Sequence, residues 1–453
     1  MCTVHIGPGG RSNPGDAAKF QYIPCILGVP HAPGFPLYIL CAWLWSHLNV
    51  CLSQATMSNL LSAVFMAAAL VCLHRSFVTA GVSAFCALLT CFALLIAPRF
   101  WTIATQAGPT AMSILLAAAN FFAGTTFFLN RSPKSFAATL MLGLLGAGHD
   151  TVLLWWAPLL IGCLTCVAPS MWRLSLTCLA LGLGLLLCLC PHLYTYIRSW
   201  QIAPVLEYVG PRVSLPRLAA FVLGAQFWPN YFHLPLRAIV AERFPLLIHD
   251  LLNQLHISLA ALAVPGLLVA WLSCPRIALL LSSALLANLF FALHQYAPDP
   301  PALMYLATLA WAFAGALGLD CLLRQAGRLR PVLNTLAVAC LLSHAFVSAR
   351  SFFGSDRDFR VRNLLLGLPA HALVLTKDVY GTSQLLAYYH YTDEFIRQRS
   401  LSARDALDPS TTNPVFFFER SVYDDVLAAG FQPLLVTSNA HGTMYLLSGG
   451  PSR

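Results

Sequence analysis

One segment concentrates the residue types that do chemistry. Gly15–Tyr38, GDAAKFQYIPCILGVPHAPGFPLY, places Asp16 fifteen residues before His31, with Lys19 between them. Carboxylates and imidazoles are the usual proton carriers of a working site. The segment is dense in proline and glycine, and Pro30, Pro33 and Pro36 block a regular helix across it. Irregular backbone at membrane depth is tolerated only where protein covers it or where it lines a cavity. The segment therefore reads as a re-entrant or interfacial loop on which Asp16 and His31 converge. Plainer readings stand beside this one. Asp16 could cap the short helix AAKFQYI, and His31 could be a hydrogen-bonded interfacial histidine.

Other candidates lie further along. His149 and Asp150 sit at a turn that Gly146 and Gly148 interrupt, and they could line the same cavity or only break a helix. Arg198, in YIRS, is the candidate for phosphate contact, because arginine suits bidentate phosphate binding. It could equally anchor the interface by snorkelling. Asp299, in YAPDPP, could be a site residue or start a turn. Glu207 and Arg212 are weaker candidates. Asp16, His31 and the His149–Asp150 pair are residue types that bind metals, but no spacing demands a divalent ion. All 15 cysteines precede residue 341, mostly in apolar runs, and no CxxC meets a second pair, so they read as small core residues.

The elements that must position these residues are membrane helices. The chain has 453 residues, of which 58% are hydrophobic and 9% charged, and its mean hydropathy is +0.71. Soluble domains carry roughly 25% charged residues. The net charge of +9 does not imply nucleic acid, because the basic residues are scattered among apolar runs. Crossing the bilayer takes about 20 apolar residues. Ten runs qualify: 56–74, 78–97, 110–129, 135–149, 151–169, 173–191, 253–272, 276–296, 302–323 and 331–349.

Loop charge supports this count. One set of connections carries Arg75, Arg131, Lys134, Arg173, Arg276, Arg324, Arg328 and Arg330, and the alternate short ones carry only Arg99. The basic set is expected in the cytoplasm. The motif, the loop 192–252 and the C-terminal part then lie outside it, in a plasma (bacterial inner) membrane. An outside N-terminus needs a preceding span, which residues 1–15 do not supply, so a leading helix upstream of Met1 is expected.

Three regions follow: an extracytoplasmic or interfacial motif region (1–55), a transmembrane helical domain (56–350) and a small soluble α/β domain (351–453). Ten of the 17 acids fall in the last region, between Asp356 and Asp425. There Ala372–Thr376, Val415–Phe418, Leu434–Thr437 and Met444–Leu447 predict strands, and Ser383–Tyr391 and Asp424–Ala429 predict helices.

The motif resembles a family signature. It is similar to D…LGV-x-HPPG-[YF]-PLY of a bacterial and animal family of multi-span membrane proteins, which includes the O-mannosyltransferase of plexin-type receptor domains. Asp16 and His31 keep the family spacing, and Leu27–Tyr38 reads LGVPHAPGFPLY, with Ala32 in place of the first proline of HPPG. Weaker likeness continues through Asn59–Phe65, Phe100–Trp101 with Ala104–Thr105, Gly148–Thr151, Tyr196–Ser199 and Tyr296–Asp299. Two positions depart from the family. Lys19 replaces a common glutamate, and Gly108-Pro109-Thr110 replaces a Glu-Val-Tyr, which removes an expected carboxylate.

The resemblance implies a polytopic helical bundle of the GT-C glycosyltransferase type. Such an enzyme moves sugar from a polyprenyl-phosphate donor, its substrate rather than a cofactor, to a protein or glycan acceptor outside the cytoplasm. It implies Asp16 as base or acceptor-orienting carboxylate, and His31 as a group orienting phosphate or acceptor. Lys19, His149, Asp150, Arg198 and Asp299 are the expected substrate contacts. Membrane lipid is the expected surrounding partner. Two other functions remain open at this level: a transporter or flippase for a lipid-linked or small polar substrate, and a non-catalytic relative. One broken region near 146–150 without a matching partner speaks against the transporter.

Overall fold

The computed structural model describes residues 14–48, 52, 54–167, 173–295, 300–352 and 368, and five strand segments beyond. The motif folds as a helix, a loop and a second helix, α1 (Pro14–Tyr22) and α2 (Pro36–Ser46). Helices stand at all ten expected positions: α3 (Gln54–Thr79), α4 (Ala84–Leu95) with α5 (Pro98–Thr105), α6 (Thr110–Asn130), α7 (Pro133–His149), α8 (Thr151–Val167), α9 (Arg173–Trp200), α13 (His256–Ser273), α14 (Pro275–His294), α15 (Tyr305–Gln325) and α16 (Arg330–Phe352). Among the described residues, six helices are long and apolar enough to cross a membrane, or seven if the bent pair of α4 and α5 is one span. The chain is an integral membrane protein.

Three boundaries differ from expectation. The run 78–97 yields only the 12-residue α4, because the chain turns at Gly81 (φ +89) and restarts at Ser83, whose hydroxyl accepts the Cys86 N–H. Pro98 then holds Ala97 extended (φ −62, ψ 131), and α5 leaves at 70°. The run 173–191 continues through Pro191 as α9 to Trp200. The stretch 192–252 is therefore largely helical, with α10 (Leu215–Val222), the single turn α11 (Leu236–Ala238) and α12 (Phe244–Gln254).

The suspected break between 135–149 and 151–169 is real. Asp150 is extended (φ −143, ψ 137), and its Oδ1 accepts the Val152 N–H at 2.8 Å, starting α8. At 17 residues each, α7 and α8 are about 25 Å long, short of the hydrocarbon thickness.

The core is a continuous apolar cluster through α3, α6, α7, α8, α13, α14 and α15. α13 and α15 approach most closely at glycines. A Cβ on Gly266 would lie 1.8 Å from the Ala314 carbonyl oxygen, and one on Gly318 would lie 2.0 Å from that of Leu262. Small residues permit such backbone contact between membrane helices.

The bundle has two distinct ends. At one, the buried Asp320 accepts the Ser83 N–H at 3.0 Å and the Arg324 Nε at 2.7 Å, and the Arg276 guanidinium reaches the Phe128 carbonyl. The turn Gly81–Ser83 and the basic turns Arg131–Lys134 and Arg324–Arg330 belong to this end. At the other end lie the motif, the α7–α8 junction, the end of α9 and α12, where Arg99 pairs with Asp250 at 2.8 Å.

Beyond α16, five strands form one sheet in the order β2-β1-β3-β5-β4. They are β1 (Leu373–Leu375), β2 (Ser402–Arg404), β3 (Val415–Phe417), β4 (Gln432–Asn439) and β5 (Gly442–Ser448), parallel across β2-β1-β3 and antiparallel across β3-β5-β4. The expected segments 372–376 and 415–418 contain the shorter β1 and β3, and 434–437 and 444–447 fall within β4 and β5. The expected helices at 383–391 and 424–429 lie outside the described residues.

Candidate active site

The motif loop is fixed by contacts that its own sequence does not reveal. Residues 23–35 link α1 to α2. Gly34 (φ +83) and Phe35 (φ +44) make the sharp entry into α2, whose first residue is Pro36. A Cβ on Gly34 would come within 2.9 Å of the Phe221 ring. The last two turns of α9 then clamp the loop. Arg198 donates from Nε to the Leu27 carbonyl at 2.7 Å and from Nη2 to the Ile26 carbonyl at 3.1 Å. Its Nη1 donates to Gln201 at 2.8 Å. One turn earlier, the Tyr194 hydroxyl donates to the Gly28 carbonyl at 2.9 Å. Arg198, the candidate for phosphate contact, thus serves the loop backbone.

The chain after α9 zips onto the motif. The Val29 N–H donates to the Val205 carbonyl at 2.8 Å, and the Glu207 N–H donates to the Val29 carbonyl at 2.9 Å. This register delivers Glu207 to the loop tip. Its Oε2 accepts the His31 backbone N–H at 2.9 Å and the Lys19 ammonium at 3.0 Å. Lys19 Nζ also lies 3.3 Å from His31 Nδ1. Lys19 is only 2% exposed, whereas the side chains of His31 and Glu207 are 22% and 20% exposed. A buried ammonium is tolerated where a carboxylate and further hydrogen-bond partners meet it. Burial pushes the Glu207 carboxyl up, but hydrogen bonds from His31 and Lys19 and the Lys19 charge outweigh it, so the carboxyl lies below its ordinary value.

Aromatic edges hold the His31 ring. Phe20, Phe35 and Phe227 approach it edge-on, with centroids at 6.1, 5.6 and 6.4 Å. Asp16 stands in the first turn of α1, inside the helix and three residues before Lys19. An acid there favours the helix dipole. α1 is tied down by Gln21, which donates to Asn59 at 3.1 Å, and the same Asn59 oxygen accepts the Ala107 N–H.

The His149–Asp150 pair lies behind this loop. The His149 ring is edge-on to Phe35 at 5.7 Å, and its Nε2 is 3.4 Å from the Pro109 carbonyl, so Gly108-Pro109-Thr110 borders the same region. Asp150 uses both oxygens, one on the Val152 N–H and the other accepting the Ser113 hydroxyl at 2.5 Å. Asp299 lies outside the described residues. Among the described residues, no group of three or more His, Cys, Asp or Glu side chains is close enough to hold a metal ion.

Lys19 and His31 are therefore brought together, while His149 and Asp150 stand in a neighbouring polar junction. Glu207 is the residue that sequence reasoning ranked too low. The usable signal was charge: a lysine inside an apolar motif needs an acid, and few acids precede residue 350.

The architecture defines a class by fold, a polytopic helical membrane bundle shared with a protein solved with undecaprenyl phosphate. The structure is similar to ArnT from Cupriavidus metallidurans bound to undecaprenyl phosphate, with TM-score 0.60, 13% identity, and coverage of 95% of this chain and 93% of that one. It is similarly close to the apo state of the same protein, with TM-score 0.60, 13% identity, and coverage of 98% and 94%. Residues 16–164 match the family model described as protein O-mannosyl-transferase TMEM260 N-terminal domain. Comparison with curated protein sequences finds no match.

Proposed function

We propose that this protein transfers a sugar from a polyprenyl-phosphate donor to an acceptor hydroxyl outside the cytoplasm. The observation that carries this reading is the Lys19–His31–Glu207 cluster, held at the tip of a clamped motif loop beside the Asp16-bearing helix. In a fold shared with a protein bound to undecaprenyl phosphate, that loop is the natural meeting place of lipid phosphate and acceptor.

The acceptor oxygen attacks the sugar C1 as the bond from C1 to the phosphate oxygen breaks. The electron pair leaves with the polyprenyl phosphate, and the Asp16 carboxylate takes the hydroxyl proton. Lys19 supplies positive charge and His31 a hydrogen-bond donor near the leaving phosphate, where developing negative charge gains most from preset donors. Arg198 and Tyr194 keep the loop in place for this. Asp150 and His149 line the neighbouring wall. The basic end of the bundle faces the cytoplasm, by the positive-inside rule, and the membrane is a plasma membrane.

The test uses the purified full chain with candidate polyprenyl-phosphate sugars, beginning with the mannose form that the family description suggests. Donor consumption that Asp16→Asn abolishes, with the fold intact, supports the reading. An Asp16→Asn protein with full activity overturns the role of Asp16. Movement of intact lipid-linked substrate in proteoliposomes, without cleavage, overturns the transferase.

A further inference from the structure

The geometry around His31 constrains where its proton sits. His31 Nδ1 faces Lys19 Nζ at 3.3 Å and stands 3.8 Å from Glu207 Oε2, too far for a hydrogen bond. An ammonium has only donors, so Nδ1 must accept and cannot itself carry the proton. The Lys19 ammonium is held in place by Glu207 Oε2 at 3.0 Å. That same oxygen holds the His31 backbone N–H, so ring and ammonium share one reference point. Three aromatic edges surround the ring. Nε2 makes no hydrogen bond among the described residues, and the side chain is partly open.

We infer that Lys19 and Glu207 are positioning residues that hold His31 as a neutral imidazole with its proton on Nε2, offering a hydrogen-bond donor to a phosphate oxygen of the lipid-linked substrate. This deepens the proposed function and rests on it for the identity of the ligand, but the tautomer itself does not. His31 is thereby a donor to the phosphate and not the base. The base must be another group, consistent with Asp16. Lys19, the departure from the family glutamate, becomes the device that sets the tautomer.

The test is nitrogen NMR of the full chain in detergent micelles with ¹⁵N-labelled histidine, His31 being assigned by its loss in His31→Gln. The expected signature is a neutral ring with a proton-bearing Nε2 and an acceptor Nδ1. A proton on Nδ1, or on both nitrogens, at neutral pH overturns the inference. In Lys19→Met the donor is gone and Glu207 is the nearest partner of Nδ1, so the proton is expected to shift to Nδ1. An unchanged Nε2–H tautomer there overturns the role of Lys19. Lys19→Arg restores a permanent donor and should restore Nε2–H. If Lys19→Met does not fold, Lys19→Met with Glu207→Gln removes both charges of the pair, and a mixture of tautomers is expected; pure Nε2–H would again count against the inference. Addition of a short polyprenyl phosphate should move the His31 Nε2–H signal. No movement, with the tautomer as expected, overturns only the phosphate assignment. Because the NMR readout needs no turnover, a failed glycosyltransferase assay is distinguishable from a failed tautomer assignment.

Discussion

Glu207 and His31, 176 residues apart in sequence, are joined by a hydrogen bond of 2.9 Å from the His31 backbone N–H to Glu207 Oε2. The bond forms because Val29 pairs with the strand-like segment at 205–207, which fixes the register of both loops. Removing the carboxylate leaves the Lys19 ammonium and the His31 N–H without this acceptor. Glu207→Ala is expected to cost about 1–3 kcal/mol, read as a lower melting temperature in detergent. Glu207→Gln should cost less, since an amide oxygen can still accept. Equal melting of all three proteins would contradict the pairing.

Acid should loosen the same contact. The Glu207 carboxyl is depressed below its ordinary value in the folded chain. Its stabilisation is therefore complete above the unfolded value, about 4.3, and is lost as pH falls through the lower folded value. Thermal stability of the wild type is expected to fall over that acid range more steeply than that of Glu207→Gln. Parallel profiles would show that Glu207 is not the titrating group.

Arg198 acts through a fork. Its Nε and Nη2 bond two successive carbonyls, Leu27 and Ile26, which a lysine cannot reproduce. Arg198→Lys should leave the helical bundle intact, measured by circular dichroism, while protease cuts the 24–31 loop faster. If transfer activity is found, it should fall at least about tenfold, since misplacing a site by 1 Å can cost roughly 100-fold. An undisturbed loop would remove the clamp from this account.

The glycine contact between α13 and α15 admits no side chain. Gly318→Ala or Gly266→Ala places a methyl group against backbone at 2.0 or 1.8 Å. Backbone cannot yield as a flexible side chain does, so the helices must separate. A destabilisation of at least about 1–3 kcal/mol is expected, visible as loss of the monodisperse peak in fluorescence-detected size exclusion. Gly162→Ala, where a Cβ meets nothing within 4 Å, is the control and should be silent.

Sidedness can be tested directly. Epitope tags after Gly210 and after Ser132 mark the two ends of the bundle. The first should be accessible from outside the cell and the second only after permeabilisation. The reverse pattern would place the motif in the cytoplasm and remove the proposed donor face.

Much of this was legible in the amino-acid sequence. Ten apolar runs gave ten helical positions, because the hydrophobic pattern is local and the bilayer demands helices. The break at Asp150 was legible for the same local reason: glycines followed by an acid that can cap the next helix. Only the middle of the motif, residues 23–35, is the loop its prolines announce; Pro36 instead starts α2. The end of α9 was misjudged because Pro191 is a local stop signal, which tertiary packing overrode; His192, Thr195 and Ser199 are buried on one face beyond it.

What residues do for one another was decided only by the tertiary structure. Composition placed Lys19 near Asp16 and His31, but its carboxylate partner comes from Glu207, after the sixth expected span, through backbone pairing that leaves no sequence pattern. Arg198 carried the chemistry of a phosphate ligand in sequence, yet its guanidinium meets loop carbonyls. Helix formation follows from short-range periodicity and burial, which the sequence writes directly. Charge pairing at the motif depends on which distant loop is delivered to it, and that is set by how the helices pack.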